Sequence, residues 1–375
     1  MSTKATLIIG TSEQNADLYY RTGFFVPDPC VYIEHDGAKI MVLSDLELGR
    51  ARELAVVDSV LSLTELRGRL GAKRGVTDGL ADIVDLVFKD RGIKCAAVPG
   101  DFPIKYADSL RKRGYRISVS KDEPFFSERI RKKPEEVKYI AETQRKTERA
   151  MARAVEMIRS SGVRGKRLYL GGKLLTSERI KGEINAMLAS LGCSSAHTIV
   201  ASGVQGSMPH HSGEGPIVAH TPVVIDIFPR SQSTGYYGDM TRTVVKGEPS
   251  PQAVKMYKAV LKAQRTALGL IKAGVEVNRV HDAVVESFAE AGFVTGLLDG
   301  KQQGFLHSTG HGLGLEIHEP PRIASTNTTL QEGMVVTVEP GLYYEKIGGV
   351  RIEDVVVVVA GGCRNLNRFS KKFRV

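Results

Sequence analysis

Met334-Val335-Val336-Thr337-Val338-Glu339-Pro340-Gly341 starts as a buried strand and ends on a carboxylate. Valines alternating with threonine suit a pleated sheet, and Pro-Gly stops it. Three other runs share the anomaly: Val223-Val224-Ile225-Asp226, Gly238-Asp239-Met240-Thr241-Arg242-Thr243, and Arg351-Ile352-Glu353-Asp354 leading into five valines. An ionised carboxylate in an apolar sheet is costly unless it is paired or ligates a cation. Four of them, with the imidazole of Gly310-His311-Gly312-Leu313-Gly314, read as one oxygen-rich metal site.

Alternation along a strand decides which side chains meet. Asp239, Thr241 and Thr243 share a face, as do Val335, Thr337 and Glu339, and as do Arg351 and Glu353. Each carboxylate therefore points with small or polar neighbours, as a lined cavity needs. Asp226 and Asp239 flank a turn rich in Gly, Ser and Tyr, so a hairpin is expected to bring both together.

Around these runs, 375 residues with 42% apolar and 25% charged content suit a soluble globular chain of two domains. Residues 5–128 read as a small α/β domain, with strands at 5–9, 31–34, 39–42, 95–98 and 116–119. A helix is expected at 79–91, and no phosphate-binding glycine loop is present. The boundary is expected near Arg129-Ile130-Arg131-Lys132-Lys133-Pro134, giving domains 1–130 and 131–375. Pro134 followed by Glu135 and Glu136 starts a helix, with acids at its positive end. Helices at 177–190, 251–273 and 278–291 then alternate with strands at 198–245 and 305–359. The second domain is thus α+β, with an approximately duplicated plan.

The net charge of +10 invites a nucleic-acid partner, but residues 111–167 hold the whole excess and lack interleaved aromatics. A solvated helix face is the preferred reading, and no nucleic-acid partner is expected. Cys30, Cys95, Cys193 and Cys363 lie far apart and form no metal-binding pair. Reduced thiols, a start too short for a leader and no membrane-length apolar run point to the cytoplasm.

Four carboxylates and an imidazole exceed the needs of one catalytic zinc. They suit two divalent ions roughly 3.5–4 Å apart, clamping a hydrolytic water. Oxygen-dominated ligation favours Mn²⁺, with Co²⁺, Fe²⁺ or Zn²⁺ as alternatives. Of nine histidines, only His35 falls in the first domain. His307 and His311 have zincin spacing, but Ser308 replaces the required Glu and the flanking glycines oppose a helix. Those glycines are read as a close backbone approach beside a ligand. His197, His211, His220 and His281 match no motif and are taken as ordinary surface or core residues. Tyr236 and Tyr237 are read as strand packing, and Arg242 and Arg351 as neutralising nearby carboxylates.

In this order the five motifs resemble the pita-bread metallopeptidases, family M24, and within them the Xaa-Pro branch of prolidase and aminopeptidase P. The likeness covers residues from about 134 onward, while the first domain is more loosely similar to a creatinase-type N-terminal domain. The resemblance implies metal ligands Asp226, Asp239, His311, Glu339 and Glu353, with Asp239 and Glu353 bridging two ions. Asp226 would hold one ion, and His311 and Glu339 the other. It further implies catalytic roles for Glu339 (proton transfer), His318 (a hydrogen bond to the oxyanion) and His210 (contact with the residue after the cut). His307 and Arg351 fall on substrate-binding positions. One departure stands out: twelve residues separate Asp226 from Asp239 where the family usually has ten.

The expected activity is metal-assisted hydrolysis of the N-terminal bond of peptides with proline in second position. The alternative is a prolidase restricted to Xaa-Pro dipeptides, which would need a cation for the free proline carboxylate. A methionine aminopeptidase fits less well because of the additional N-terminal domain. A non-catalytic or metal-free relative is a further alternative, though such relatives lose ligands and all five are kept here. The resemblance also implies a homodimer formed through the first domain.

Overall fold

In the first of two units, strands with no polar face explain the sheet. Leu7, Ile9, Val31, Ile33, Ile40 and Val42 pack against Ile83, Val84, Val87 and Phe88 on one side. Ile8, Tyr32 and Met41, the alternate positions, pack with Leu18, Phe24 and Phe126 on the other. A sheet buried on both faces carries apolar residues at successive positions. The computed structural model describes residues 4–71 and 79–375. Residues 1–3, the first part of the start on which the expected lack of a leader rests, lie outside it.

The chain divides into Met1–Arg129 and Ile130–Val375. The first unit holds a six-stranded sheet in the order Ser59–Ser62, Ala38–Leu43, Cys30–His35, Ala5–Gly10, Cys95–Val98, Arg116–Val119. Its centre is antiparallel and its flanks parallel. Strand Ser59–Ser62 and the helices Ala16–Thr22, Leu48–Leu54, Leu63–Leu70 and Ile104–Lys112 were not expected from the sequence. Each spans at most nine residues, too short for its apolar period to stand out.

The second unit sets two helices against a sheet, twice. Helix Pro134–Arg159 opens as expected, and the Glu136 carboxylate accepts the Lys133 amide at 2.8 Å. It packs with helix Ser177–Ser190 through Met151, Ile158 and Ile184 onto Val200, Val223 and Ile225. That sheet has the order Ile199–Ser202, Val223–Ile227, Met240–Val244, all antiparallel. Helices Pro251–Leu270 and Val277–Glu290 pack with Val336, Val338, Ile352 and Val356. The second sheet has the order Glu319–Ile323, Gly310–Gly312, Val335–Val338, Asp354–Val359, Gly362–Asn365. A hairpin of Gly341–Tyr344 and Gly348–Arg351 stands beside it. The helix from Pro251 stops at Leu270 rather than 273, because the amides of Ala273 and Gly274 turn to the carbonyls of Val359 and Leu330.

Among the described residues no helix is long and apolar enough to cross a membrane. Several cations of the basic stretch are paired within the chain: Arg113 with Asp82, Arg129 with Asp17, Lys132 with Glu319 and Arg153 with Glu183.

Candidate metal centre

Strand ends deliver the carboxylates. Asp226 lies in Val223–Ile227, whose Ile227 pairs with Met240. Asp239 immediately precedes that partner strand, so the expected hairpin does bring the two acids to one cavity. Glu339 follows Val335–Val338, and Glu353 sits in the two-residue link between Gly348–Arg351 and Asp354–Val359. His311 is the middle residue of Gly310–Gly312. All five line one cavity of about 570 Å³.

Asp239, His311 and Glu353 each offer a ligand atom within 4.8 Å of the others. The His311 Nε2 lies 3.3 Å from Glu339 Oε1 and 3.7 Å from Asp239 Oδ2. Asp226 is held differently, its Oδ2 accepting Arg351 Nη2 at 2.6 Å while Oδ1 is buried with no hydrogen-bond partner among the described residues.

This packing of acids has an electrostatic consequence. Burial, then the neighbouring Glu353, Asp226 and Glu339, pushes the Asp239 carboxyl well above its ordinary range. Glu353 is raised likewise by burial, then by Glu339 and Asp226. Burial pushes Glu339 up to about 8, with Arg351 opposing and Asp226 adding. Like charges so close cannot all ionise without further positive charge. Burial lowers His311 to about 3, so its ring is neutral at neutral pH. With Nδ1 directed to the Gly312 carbonyl at 3.0 Å, the Nε2 lone pair faces the acids. A neutral imidazole, four crowded carboxylates and an unpaired carboxylate oxygen form a donor set that fits divalent cations.

Neighbouring groups fix the donors. Thr241 Oγ1 donates to Glu353 Oε2 at 2.8 Å, and the His311 amide donates to Thr337 Oγ1 at 3.0 Å. These threonines share faces with the acids as the alternation predicts. Gln144, from helix Pro134–Arg159, clasps the Asp239 backbone in both directions at 2.7 and 2.8 Å. The expected close approach at the glycines is present: a Cβ on Gly310 would lie 1.9 Å from the Thr337 carbonyl oxygen, and one on Gly312 2.3 Å from that of Pro320.

His210 and His318 also line the cavity, and both are exposed. The His318 ring meets that of His311 edge-on, centroids 4.4 Å apart. His307 stands in the wall shared with an adjoining cavity of about 880 Å³. Its two nitrogens are engaged by the Ser308 carbonyl and by the Tyr343 hydroxyl, each at 2.8 Å. Arg351 spans Asp226, Thr241 and Tyr343, so its guanidinium is committed to the protein. Arg242 bonds Asp354, as a neutralising group should. Tyr236 is buried and donates to Glu136 at 2.6 Å.

Two histidines that match no motif also stand at cavity walls. His197 is exposed and lines the cavity at a positive φ of 62°. His281 has its Nδ1 2.9 Å from Thr309 Oγ1 and lines the adjoining cavity. Arg322, absent from the sequence-based set, lines both cavities. The additional residues between Asp226 and Asp239 form a small projection in which Arg230–Ser231 pairs with Cys193–Ser194. Phe228 of that segment joins the cavity wall, and the Tyr237 amide bonds the Gly314 carbonyl at 2.9 Å.

Comparisons with known proteins bear on the family and the fold. The model of metallopeptidase family M24 matches residues 138–360. A protein named Xaa-Pro dipeptidase, from Pyrococcus horikoshii, is 31% identical over 286 residues, which is 75% of this chain and 75% of that protein. The crystal structure of a prolidase from Pyrococcus horikoshii superposes with a TM-score of 0.80 at 26% identity, covering 99% of this chain and 95% of that one. That of an X-Pro aminopeptidase from Thermotoga maritima superposes at 0.82 and 26% identity, covering 99% and 97%.

Proposed function

The chain belongs to metallopeptidase family M24, with a creatinase-like α/β unit preceding a pita-bread α+β unit, and on that premise we propose that it is a dipeptidase cleaving Xaa-Pro dipeptides. The observation that carries the reading is Arg322 in the cavity wall. A dipeptide ends in a free carboxylate just past the proline, and a guanidinium is its natural partner. The sequence alone put longer Xaa-Pro peptides first. Arg322 and the relative named Xaa-Pro dipeptidase favour the shorter substrate, leaving the aminopeptidase as second reading.

Asp226, Asp239, His311, Glu339 and Glu353 would hold two divalent cations. Mn²⁺ suits these mostly oxygen donors, with Co²⁺, Fe²⁺ or Zn²⁺ as alternatives. When bound, such ions polarise a carbonyl and lower the pKa of water. Glu339 takes the proton of the attacking water and passes it to the leaving proline nitrogen. His318 donates to the developing oxyanion, and His210 contacts the proline ring. Arg351 and His307 keep the acids and the wall in register.

We further propose a cytoplasmic homodimer. The four cysteines are free, and Leu46, Leu54 and Val56 of the first unit are 86%, 59% and 63% exposed.

The test compares Xaa-Pro with Xaa-Pro-Xaa substrates in the Mn²⁺-loaded enzyme and its Arg322→Met variant. The variant is expected to lose about ten- to a hundredfold in kcat/KM on dipeptides, the worth of a hydrogen bond to a charged group. Tripeptides are expected to be poor substrates of the unaltered enzyme and little changed by the substitution. Tripeptide cleavage by the unaltered enzyme at dipeptide rates would favour the aminopeptidase. Absence of bound metal in active protein would point to a metal-free relative.

A further inference from the structure

Glu353 occupies a link outside the strand ladders, yet its position must be fixed for it to share cations with Asp239. The fixing comes from behind. Arg242 alternates with Thr241, so its side chain leaves the opposite face of the sheet, where it is 2% exposed. Its Nη1 donates to the carbonyls of Thr241 at 2.9 Å and of Glu353 at 2.5 Å. Its Nη2 donates to Asp354 Oδ1 at 2.9 Å and to the Phe369 carbonyl at 3.1 Å. The Nε donates to the Ser370 carbonyl at 3.2 Å. All five guanidinium hydrogens are used, two of them on the chain after the last strand.

That segment is seated at several independent points. Lys371 Nζ lies 2.5 Å from Asp354 Oδ2, and Tyr257 donates to the Lys371 carbonyl at 2.7 Å. The Phe373 ring stacks on Tyr257 with centroids 4.2 Å apart. Val245, one residue past the strand of Arg242, donates to the Phe373 carbonyl and accepts from the Val375 amide. Asp354, next to Glu353, is thus gripped by Arg242, Lys371 and Asn365 together.

We propose that residues 366–375 form a strap which, through Arg242 and Asp354, positions Glu353 for cation binding. Arg242 is a positioning residue, and cation affinity depends on the seating of a segment that contributes no ligand. The inference rests on the two-cation reading of the site.

The test uses Phe373→Ala in the full-length chain, which removes the ring stack without touching Arg242 or any ligand candidate, alongside Arg242→Met and Arg242→Lys. Cation-free protein is titrated with Mn²⁺ by calorimetry, with circular dichroism and melting followed in parallel. Phe373→Ala is expected to stay folded and to bind Mn²⁺ about tenfold or more weakly, within the range known for groups that orient ligands. Arg242→Lys is expected to recover part of what Arg242→Met loses. Should Arg242→Met fail to fold, Phe373→Ala decides alone. Mn²⁺ affinity within twofold of the unaltered protein in Phe373→Ala would overturn the strap. Global unfolding of that variant would also overturn it, by making the segment a general stability element. Failure of the unaltered protein to take up Mn²⁺ would instead sink the cation site itself.

Discussion

At the scale of single residues, Glu339 carries the sharpest expectation. Glu339→Gln removes the proton acceptor and should lower kcat by about 10²–10⁴-fold on an Xaa-Pro dipeptide, measured at saturating Mn²⁺. The raised carboxyls make a second. Folded, Glu339 keeps its proton up to about pH 8, whereas in the unfolded chain it loses it near 4.5. Its stabilising contribution in cation-free protein is therefore complete below 4.5 and lost as pH rises through 8. His307, held down to about 3 by burial and then by Arg351, acts oppositely, its contribution present above 6.5 and lost as pH falls toward 3. Bound cations neutralise the acids, so added Mn²⁺ should raise the melting temperature more at pH 8 than at pH 5. Equal increments would show that the acids are not where the cation binds. The carboxylate candidates were legible in the sequence because each borders a strand-forming run, where the cost of burying charge makes it stand out, and His311 because glycines flank it. Arg322, in a strand, and His197, in a loop, were not, since a lone cation or imidazole reads the same whether it faces solvent or a substrate. Gln144 lay hidden on a long helix that buries Glu136, Thr143 and Thr147 as well, so a polar residue on its inner face does not single out a site.

Elements act through their junctions. Lys132, just before helix Pro134–Arg159, has its amide on the Gly333 carbonyl and its ammonium on Glu319 Oε2 at 2.6 Å. Both side chains are buried, and Glu319 adjoins His318 and accepts the Glu316 amide at 3.1 Å. The pair thus ties the approach to a helix to the turn that presents His318, the histidine proposed to face the oxyanion. Lys132→Met should destabilise by about 3–5 kcal/mol, because it strands a buried carboxylate. Adding Glu319→Gln should return much of that, as a double-mutant cycle of thermal melts would register. The long helices were readable from apolar period and start signals. The short ones in the first unit are set by tertiary packing of two or three side chains, which no local pattern announces.

For the whole molecule, the first unit's exposed leucines and valine give the proposed dimer its testable form. Leu46→Arg should shift the mass measured by light scattering from two chains toward one, leaving the cation-binding isotherm unchanged. The division at Arg129, the helix–sheet alternation beyond it and the approximately duplicated plan of the second unit follow from size and period. The packing of two helices on each sheet adds what the order of elements does not show, that each half has a core of its own. Gly310 and Gly312 leave a practical legacy. Because neighbouring carbonyls occupy the space a Cβ would need, a mutagenesis library aimed at new selectivity gains nothing from those two codons. Diversity is better invested in Phe228, Leu306 and Ile317, which face the same void and have side chains to exchange.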